Sequence, residues 1–258
     1  MNPILDSYRA FAIDLDGVVW RGSRFIEGAP EALKVLIASG HPLLLLTNNA
    51  SYPASEVIAR LADAGLHLEP HNVLNTATVA RSWIELNGMT GKRAMILAAP
   101  SVLPQLDGCI EAVEATRLSR AELVLVGRDV TFDFAKLDAA SAAVRDGAVL
   151  LAMNRDTEMP VDDEIQPGTG AIVAAIEAAA GAEAIVLGKP ELPMMQAAAE
   201  ILGDHKTLMI GDRIESDIVG AHRIGWDAAL VLSGVSSGSE DGEQPEFVAP
   251  TLADLVSG

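Results

Sequence analysis

Residues 11–20 read FAIDLDGVVW, an apolar run that ends in two aspartates and a glycine. Such a run predicts a buried β-strand. Because side chains alternate between the faces of a strand, Asp14 and Asp16 share one side and both reach the crevice where open α/β sheets bind ligands. Gly17 permits a tight turn that brings a backbone N–H close to a ligand. An Asp-Gly turn after a strand is also common, so this pattern alone leaves a turn and a site as alternatives.

The composition predicts a globular α/β protein and argues against two classes of partner. The chain has 258 residues, of which 50% are hydrophobic and 4% aromatic, and it carries a net charge of −18. No basic stripe is present to neutralise phosphates, so we expect no nucleic-acid partner. The negative charge also disfavours anionic membranes. The longest aliphatic run, residues 43–46, is too short to span a bilayer.

The cysteine content and the first residues favour a cytoplasmic location. Cys109 is the only cysteine in the sequence, so an intrachain disulfide is impossible and a reducing compartment is expected. Residues 1–6 read MNPILD, without the basic region that begins a signal peptide.

Strand-like and helix-like segments alternate along the chain, as in a parallel sheet covered by helices. The predicted strands are residues 10–15, 43–46, 94–98, 123–126, 149–152, 184–187, 208–210 and 228–232. The predicted helices are residues 29–38, 54–65, 76–86, 134–145, 171–180 and a short one near 252. Residues 154–170 are predicted to be a polar loop, and residues 233–246 a mobile loop.

Polar residues follow four of these strands: Asp14 and Asp16, then Thr47-Asn48, then Lys189, then Gly211-Asp212. If all four strands belong to one parallel sheet, these ends converge on one crevice. A block with its own strand–helix alternation separates the second signature from the third. We therefore predict a Rossmann-like doubly wound parallel sheet core, formed by residues 1–79 and 184–258. The inserted α/β domain covers residues 80–183.

The predicted crevice contains the groups that bind and transfer a phosphoryl group. Lys189 supplies a compact positive charge, while Thr47 and Asn48 supply a hydroxyl, an amide and backbone N–H groups. Asp14 is placed to attack phosphorus in line. Asp16 is placed to protonate the leaving alkoxide and then to deprotonate the attacking water.

The same crevice is predicted to hold a divalent cation. Mg²⁺ prefers carboxylate, phosphate and water oxygens, and Asp14 and Asp212 are the natural pair of ligands. Asp217 either holds a metal-bound water or orients Lys189. Each signature alone has an ordinary structural explanation as a turn, a solvated lysine or a helix N-cap. All four in this order, each after an apolar run, would be a rare coincidence.

These motifs resemble those of the haloacid dehalogenase superfamily of phosphatases. The corresponding residues are Asp14-Leu15-Asp16-Gly17, Thr47-Asn48-Asn49, Lys189, and Gly211-Asp212-Arg213 with Ser216-Asp217. The insertion between the second and third motifs resembles the NagD-like branch, whose inserted domain is a large α/β cap. Further matches to this branch are Val126-Gly127-Arg128-Asp129, Pro167-Gly168-Thr169-Gly170-Ala171 and Leu187-Gly188-Lys189-Pro190.

The resemblance implies a role for each matched residue and Mg²⁺ as the cofactor. The implied catalytic residues are Asp14, Asp16 and Lys189. The implied phosphate-binding residues are Thr47, Asn48 and Lys189, and we predict that Gly17 and Asn49 of the same motifs also contact the substrate. Arg155 and Met159 are predicted substrate-binding residues because they lie in the cap loop that we expect to face the leaving group. The implied metal ligands are Asp14, Asp16 through its backbone carbonyl, Asp212 and Asp217.

The resemblance implies a Mg²⁺-dependent phosphatase that hydrolyses small phosphomonoesters of sugars, polyols or hydroxy acids through an aspartyl-phosphate intermediate. Its partner would be the small-molecule substrate, and p-nitrophenyl phosphate an artificial one. Because caps of this type often pair, the resemblance favours a homodimer through the cap.

Several alternatives stay open at this point. A nucleotide or pyridoxal phosphate phosphatase has the same core, although Met159 stands where pyridoxal phosphatases have a histidine. A non-catalytic module that binds phosphometabolites is the alternative from another class, although such proteins usually lose Asp14 or Asp212. A dehalogenase would not need Asp16, and the large cap fits a phosphomutase poorly.

Overall fold

The computed structural model describes residues 3–161, 164–236 and 243–257. The helices of these residues are α1 (Pro3–Ser7), α2 (Ala29–Ala38), α3 (Ala54–Asp63), α4 (Thr76–Leu86), α5 (Val102–Gln105), α6 (Phe134–Arg145), α7 (Thr169–Ala180), α8 (Leu192–Leu202), α9 (Val219–Arg223) and α10 (Leu252–Ser257). A one-turn 3₁₀-helix spans Pro70–Asn72, and a π-helix spans Ile214–Ile218.

The strands of the described residues are β1 (Ala10–Asp14), β2 (Trp20–Arg21), β3 (Arg24–Phe25), β4 (Leu43–Thr47), β5 (Val73–Asn75), β6 (Arg93–Leu97), β7 (Glu111–Val113), β8 (Leu123–Val126), β9 (Val149–Ala152), β10 (Glu158–Val161), β11 (Glu164–Pro167), β12 (Ile185–Val186), β13 (Thr207–Gly211), β14 (Asp227–Val231) and β15 (Phe247–Ala249). Most predicted elements are confirmed, and α2, α4, α6, β8 and β9 begin and end where the sequence predicted.

The chain divides into two compact units. The first unit consists of Met1–Thr47, Ala54–Leu74 and Lys189–Gly258. The second consists of Asn48–Pro53 and Asn75–Gly188. One α/β unit is thus inserted into another. Residues 48–53, 75–79 and 184–188, which were predicted to belong to the core, group with the second unit.

The first unit is built on a six-stranded sheet in the order β15-β14-β13-β1-β4-β5. β1 pairs in parallel with β13 and β4, and β13, β14 and β15 continue in parallel. Every residue of β1, β4 and β13 is buried, as expected for strands covered by helices on both faces. The strand order reverses between β1 and β13, and open α/β sheets bind ligands at the carboxyl ends of strands at such a reversal.

Helices cover both faces of this sheet. α2 buries residues with the i, i+3, i+4, i+7 spacing of a one-sided apolar stripe, namely Ala29, Ala32, Leu33 and Leu36. They share one buried cluster with Phe11 and Ile13 of β1 and with Leu252 of α10. α8 also contacts β1 and β4, but the buried cluster contains none of its residues. Because alternate residues of a strand point to opposite faces, α8 lies on the other face.

The second unit is built on a five-stranded sheet in the order β12-β9-β8-β6-β7, in which every pair is parallel. Val124 and Val126 of the fully buried β8 share a core with Ala140 of α6 and Val173 of α7. Asp133 caps α6 by accepting a hydrogen bond of 2.8 Å from the backbone N–H of Lys136. The second unit is therefore an α/β unit with a hydrophobic core of its own.

The strand before Lys189 lies in a different sheet from the one predicted. β12 pairs in parallel with β9, Ile185 opposite Leu151 and Val186 opposite Ala152. The prediction that four polar strand ends meet in a single sheet is therefore wrong for this strand. An apolar run indicates that a strand is buried but does not specify its neighbour, which tertiary packing selects.

The predicted polar loop at residues 154–170 contains an antiparallel hairpin of β10 and β11, with Met159 opposite Gln166 and Pro160 opposite Ile165. Proline is tolerated there because a two-stranded hairpin has only edge strands. The short strands β2, β3, β5, β7 and β15 were also missed. Residues 237–242 of the predicted mobile loop lie outside the described residues. In the described ranges, every helix is too short or too polar to cross a membrane.

His222 makes the stability of the first unit depend on pH. Its ring nitrogens lie 2.5 Å from Glu243 Oε2 and 3.3 Å from Glu246 Oε2. Burial by itself would lower the pKa of His222, but the two carboxylates outweigh burial and raise that pKa. Because the folded pKa exceeds the unfolded value, the stabilisation is complete below about pH 6.5 and is lost as the pH rises through the folded pKa.

His222→Gln should lower the free energy of unfolding by on the order of 0.5–1 kcal/mol at about pH 5.5, and by less at about pH 8.5. Urea denaturation of the full chain at both pH values measures this difference. Glu243→Gln, which removes the closer partner, should show the same trend with pH. A His222→Gln penalty that stays constant or grows with pH would contradict this account.

Candidate active site

Two carboxylates stand at the carboxyl end of β1, as the sequence predicted. Asp14 is the last residue of β1 and is 6% exposed. Asp16 follows in the turn, where Trp20 Nε1 donates a hydrogen bond of 3.1 Å to Asp16 Oδ1. Thr47 Oγ1, at the end of the neighbouring strand β4, donates a bond of 3.4 Å to Asp16 Oδ2. The two aspartates therefore lie at one strand end, and Asp16 is held by an indole and a hydroxyl.

Lys189 joins two of the site carboxylates. Its Nζ donates a hydrogen bond of 2.6 Å to Asp14 Oδ1 and one of 2.7 Å to Asp217 Oδ1, and the residue is 3% exposed. Burial by itself would lower the pKa of Lys189, but the two carboxylates raise it above its ordinary value. Lys189 is therefore a fixed positive charge, although β12, the strand that precedes it in the chain, lies in the other sheet.

The carboxyl end of β13 supplies the other two carboxylates. Asp217 lies in the π-helix that follows β13, and its Oδ2 accepts hydrogen bonds from the backbone N–H groups of Asp212, at 3.2 Å, and Arg213, at 3.1 Å. Asp212 Oδ2 accepts a bond of 2.8 Å from the backbone N–H of Val235. Asp212 Oδ1 is buried without a hydrogen-bond partner among the described residues. An orphaned carboxylate oxygen is costly to bury unless a cation or donor binds it.

Two glycines permit these carboxylates to approach the backbone. Gly17 has φ of 93°, in the left-handed region that side chains disfavour, and a Cβ there would collide with the Asp212 carboxylate. A Cβ at Gly211 would collide with the side chain of Asp217. Any larger residue at either position would displace a carboxylate of the site.

The site is deficient in positive charge, because the carboxylates of Asp14, Asp16, Asp212 and Asp217 surround one ammonium. Burial raises the pKa of Asp14 well above its ordinary value, and Asp217, Asp212 and Asp16 raise it further against the opposing effect of Lys189. Burial, followed by repulsion from Asp217, raises the pKa of Asp212 to about 6. A cation at this position would relieve the repulsion and restore the ionised forms.

The geometry fits a divalent metal ion. One carboxylate oxygen each from Asp14, Asp212 and Asp217 lie within 4.8 Å of one another, and all three residues are buried. Carboxylates are the hard oxygen ligands that Mg²⁺ takes from proteins. Together with the orphaned Asp212 Oδ1, this arrangement suits Mg²⁺.

The residues that follow Thr47 belong to the second unit and are held there through their backbone carbonyls. The Asn48 carbonyl accepts hydrogen bonds of 2.9 Å from Asn154 Nδ2 and 3.1 Å from Thr76 Oγ1. Gln105 Nε2 donates a bond of 2.9 Å to the Ala50 carbonyl. The Asn48 side chain donates to Asp156 Oδ2 at 3.4 Å.

Of the remaining predicted residues, Asn49 Oδ1 accepts a hydrogen bond of 2.9 Å from the backbone N–H of Ser51, which forms a local turn. Arg155 Nη1 and Nη2 donate to Glu177 at 3.0 and 2.5 Å, so its charge is already paired. Met159 lies on β10 and is partly buried. These residues, like Asn48, belong to the second unit, whereas Asp14, Asp16, Thr47, Lys189, Asp212 and Asp217 belong to the first.

Sequence reasoning missed two groups that hold the site carboxylates. Trp20 binds Asp16, and its place four residues later in the same quoted run was an available signal. Val235 binds Asp212 through its backbone N–H, which every residue except proline has. No side-chain pattern therefore predicted Val235.

Comparisons with known proteins identify the family of the chain. Residues 11–109 match the family of haloacid dehalogenase-like hydrolases, and residues 186–255 match the HAD-hydrolase-like family. The chain is 34% identical to chronophin of Mus musculus over 278 residues, which cover 100% of this chain and 95% of chronophin.

Two solved structures are also similar. A glycerol phosphate phosphatase from Mycobacterium tuberculosis, in complex with magnesium, matches with a TM-score of 0.88 and 30% identity, covering 100% of this chain and 79% of that one. NagD from E. coli K-12 matches with a TM-score of 0.83 and 26% identity, covering 96% of this chain and 98% of NagD. With a relative 34% identical along its whole length, the chain belongs to the haloacid dehalogenase-like hydrolases, and it is NagD-like.

Proposed function

We propose that the protein is a Mg²⁺-dependent phosphatase that hydrolyses small phosphomonoesters through an aspartyl phosphate on Asp14. The observation that carries the proposal is the buried ammonium of Lys189 between Asp14 and Asp217, at 2.6 and 2.7 Å. It places a fixed positive charge against the proposed nucleophile, where the oxygens of a phosphoryl group would need charge compensation.

The proposed reaction has two steps. In the first, an oxygen of Asp14 bonds to phosphorus while the ester P–O bond breaks, and Asp16 gives its proton to the departing alkoxide. In the second, water attacks phosphorus, Asp16 takes a proton from it, and the bond between phosphorus and Asp14 breaks. The products are the alcohol and inorganic phosphate. The hydrogen bonds from Trp20 and Thr47 support the role of Asp16, because they fix its carboxylate beside Asp14.

We propose that Asp14 and Asp212 hold the metal directly, together with the backbone carbonyl of Asp16. Asp217 already accepts three hydrogen bonds, from Lys189 Nζ and from two backbone N–H groups, so its main role is to position Lys189 and complete the metal site. Bound magnesium would supply positive charge that offsets the negative charge of the phosphate. The orphaned Asp212 Oδ1 supports this assignment.

For substrate binding we propose Gly17, Thr47, Asn48, Asn49 and Lys189 around the phosphate, and Arg155 and Met159 toward the leaving group. Met159 is apolar and adaptable, so it favours modest selectivity. The pairing of Arg155 with Glu177 reduces the charge that Arg155 can offer to a second anionic group.

The proposed substrates are phosphomonoesters of sugars, polyols or hydroxy acids. A relative of matching fold is a glycerol phosphate phosphatase, which supports a small polyol phosphate. Phosphate release from a panel of polyol, sugar, hydroxy-acid, nucleoside and pyridoxal phosphates by the full chain tests this class. The highest kcat/KM on nucleotides or pyridoxal phosphate would overturn it.

We also propose that the enzyme is cytoplasmic. We further propose that it forms a homodimer through the second unit. Cys109, the only cysteine, is buried as a free thiol, which suits a reducing compartment. Light scattering of the full chain tests the dimer.

Asp14→Asn should reduce hydrolysis of p-nitrophenyl phosphate by on the order of a thousandfold or more, because the nucleophilic oxygen and a metal ligand are both lost. Steady-state kinetics in Mg²⁺ measure the loss, and acid-quenched enzyme should carry covalent phosphate only when Asp14 is present. The exposed Asp204→Asn is the matched control and should keep wild-type turnover. An Asp14→Asn variant with a tenth of wild-type turnover would exclude the covalent mechanism.

Asp16→Asn should slow the hydrolysis of glycerol phosphate far more than that of p-nitrophenyl phosphate. An alkoxide needs a proton in order to leave, and a general acid contributes about 10²- to 10⁴-fold, whereas nitrophenolate leaves with little help. The decrease in kcat from wild type to Asp16→Asn is measured on each substrate, and the ratio of the two decreases gives the difference. Equal losses on both substrates would rule out Asp16 as the general acid.

Asp212→Asn should weaken Mg²⁺ binding at least about tenfold, because loss of a ligand should cost no less than loss of an outer-shell partner. Calorimetric titration with Mg²⁺ measures binding separately from turnover, and the Mg²⁺ concentration for half-maximal activity should rise in parallel. Wild-type affinity in Asp212→Asn would remove this residue from the metal site.

A further inference from the structure

The second unit contains a cavity that the proposed reaction does not use. Its volume is about 400 Å³, within the range of small-molecule sites. The lining residues are Arg128, Asp129, Val130, Phe132, Gln166, Pro167, Gly168, Ala171 and Ile172. Two sequence motifs therefore meet at this cavity, the one that ends in Arg128-Asp129 and the one that begins with Pro167-Gly168. The reaction proposed above assigns no chemical step to either motif.

Arg128, which lines this cavity, uses only one of two neighbouring N–H groups of its guanidinium. Its Nη2 donates a hydrogen bond of 2.6 Å to the neutral Gln166 Oε1. Its Nε is buried and has no partner in residues 3–161, 164–236 and 243–257. A buried donor left without an acceptor destabilises the folded state. An acceptor with two oxygens would satisfy both groups at once.

Another arginine of the same unit shows which acceptor binds Nε and Nη2 when both nitrogens donate. Arg117 donates through the same two nitrogens, Nε and Nη2, to the two carboxylate oxygens of Asp138, with Nε at 2.5 Å from Oδ2. Such paired bonds are charge-assisted and are specific for a planar carboxylate. In Arg128 only Nη2 of this pair has a partner among the described residues, and that partner is a neutral amide oxygen.

The acid that lines the cavity does not neutralise Arg128. Asp129 Oδ2 accepts a hydrogen bond of 2.7 Å from Lys136 Nζ, and Asp129 Oδ1 accepts one of 2.7 Å from Thr131 Oγ1. Burial raises the pKa of Asp129, but Lys136 and Thr131 outweigh burial and lower it, so the Asp129–Lys136 pair is internally balanced. The Arg128 charge is left for a ligand, close to the start of α7, where the helix dipole also favours an anion.

The rest of the lining is apolar and favours an organic ligand over an inorganic ion. Val130 is 77% exposed at the cavity, and Phe132 and Ile172 provide further apolar surface. Burying the hydrocarbon part of a ligand against these side chains would strengthen its binding.

We propose that this cavity binds a small organic carboxylate, with the carboxylate paired to Nε and Nη2 of Arg128 and the hydrocarbon part against Val130, Phe132 and Ile172. The carboxylate takes the place of the Gln166 amide, which swings away by rotation of its side chain. Lys136 and Asp129 stay paired and exclude a second anion. The inference is independent of the proposed phosphatase activity.

The test observes the Arg128 Nε–H group itself. The full chain, labelled with ¹⁵N at arginine Nε, is titrated with phenylacetate and, separately, with phenylacetamide as the uncharged analogue. Phenylacetate should shift one Nε–H signal saturably, and that signal should be the one that disappears in Arg128→Gln. Phenylacetamide should leave it in place. Arg117→Gln is the matched control and should keep the response.

Two further measurements keep the test decisive if Arg128→Gln does not fold. Gln166→Ala removes the competing amide and should tighten phenylacetate binding several-fold. Inorganic phosphate should bind at least about tenfold more weakly than phenylacetate, since it makes no apolar contact. The proposal is overturned by the absence of a saturable shift, by an equal response to phenylacetamide, by preference for phosphate, or by unchanged affinity in Gln166→Ala.

Discussion

The buried ion pairs of Lys189 with Asp14 and Asp217 are the interaction on which the rest of the site depends. An isolated ammonium or carboxylate would be far too costly to bury, so each of the three groups requires the others. Asp217 is held in turn by backbone N–H groups of the π-helix after β13. The pairing therefore connects the end of β1, the end of β13 and the segment after β12. Removal of one partner would leave an uncompensated buried charge.

The same pairing explains why the site needs a cation. Lys189 balances one carboxylate, while Asp16 and Asp212 stand close by and Asp212 Oδ1 lacks a partner among the described residues. The backbone cannot relieve this repulsion, because Gly17 and Gly211 already bring it to the side chains of Asp212 and Asp217. The four carboxylates therefore favour the binding of a hard cation. Lys189 is already positioned to contact the phosphate group of a substrate.

The second unit contributes two separate features. Its polar side chains hold the backbone of Asn48–Pro53, the segment that follows Thr47 of the first unit. Asn154 and Thr76 therefore hold the backbone of Asn48, a proposed phosphate-binding residue, and Gln105 holds that of Ala50. The Arg128 cavity lies in the same unit and differs in character, because it pairs one cationic edge with an apolar wall.

Most of the fold and the core of the site could be predicted from the sequence. Apolar runs marked the buried strands, and Asp14, Thr47 and Asp212 were placed at strand ends because side-chain period and parallel topology leave little freedom there. The hairpin of β10 and β11 was not predicted, because the prolines, glycines and acids of residues 154–170 are typical of a loop. The short edge strands β5 and β15 carried too few residues for a pattern.

The sequence by itself determined which chemical groups the chain carries and which strand ends carry them, since local periodicity and turn residues depend only on neighbouring positions. Tertiary structure alone decided the partners. It pairs β12 with β9 and places Lys189 between Asp14 and Asp217. It also sets the hydrogen bonds from Val235 to Asp212 and from Arg128 to Gln166. The physical reason is that such contacts join residues far apart in the chain, and their energies depend on burial and distance, which exist only once the chain is folded.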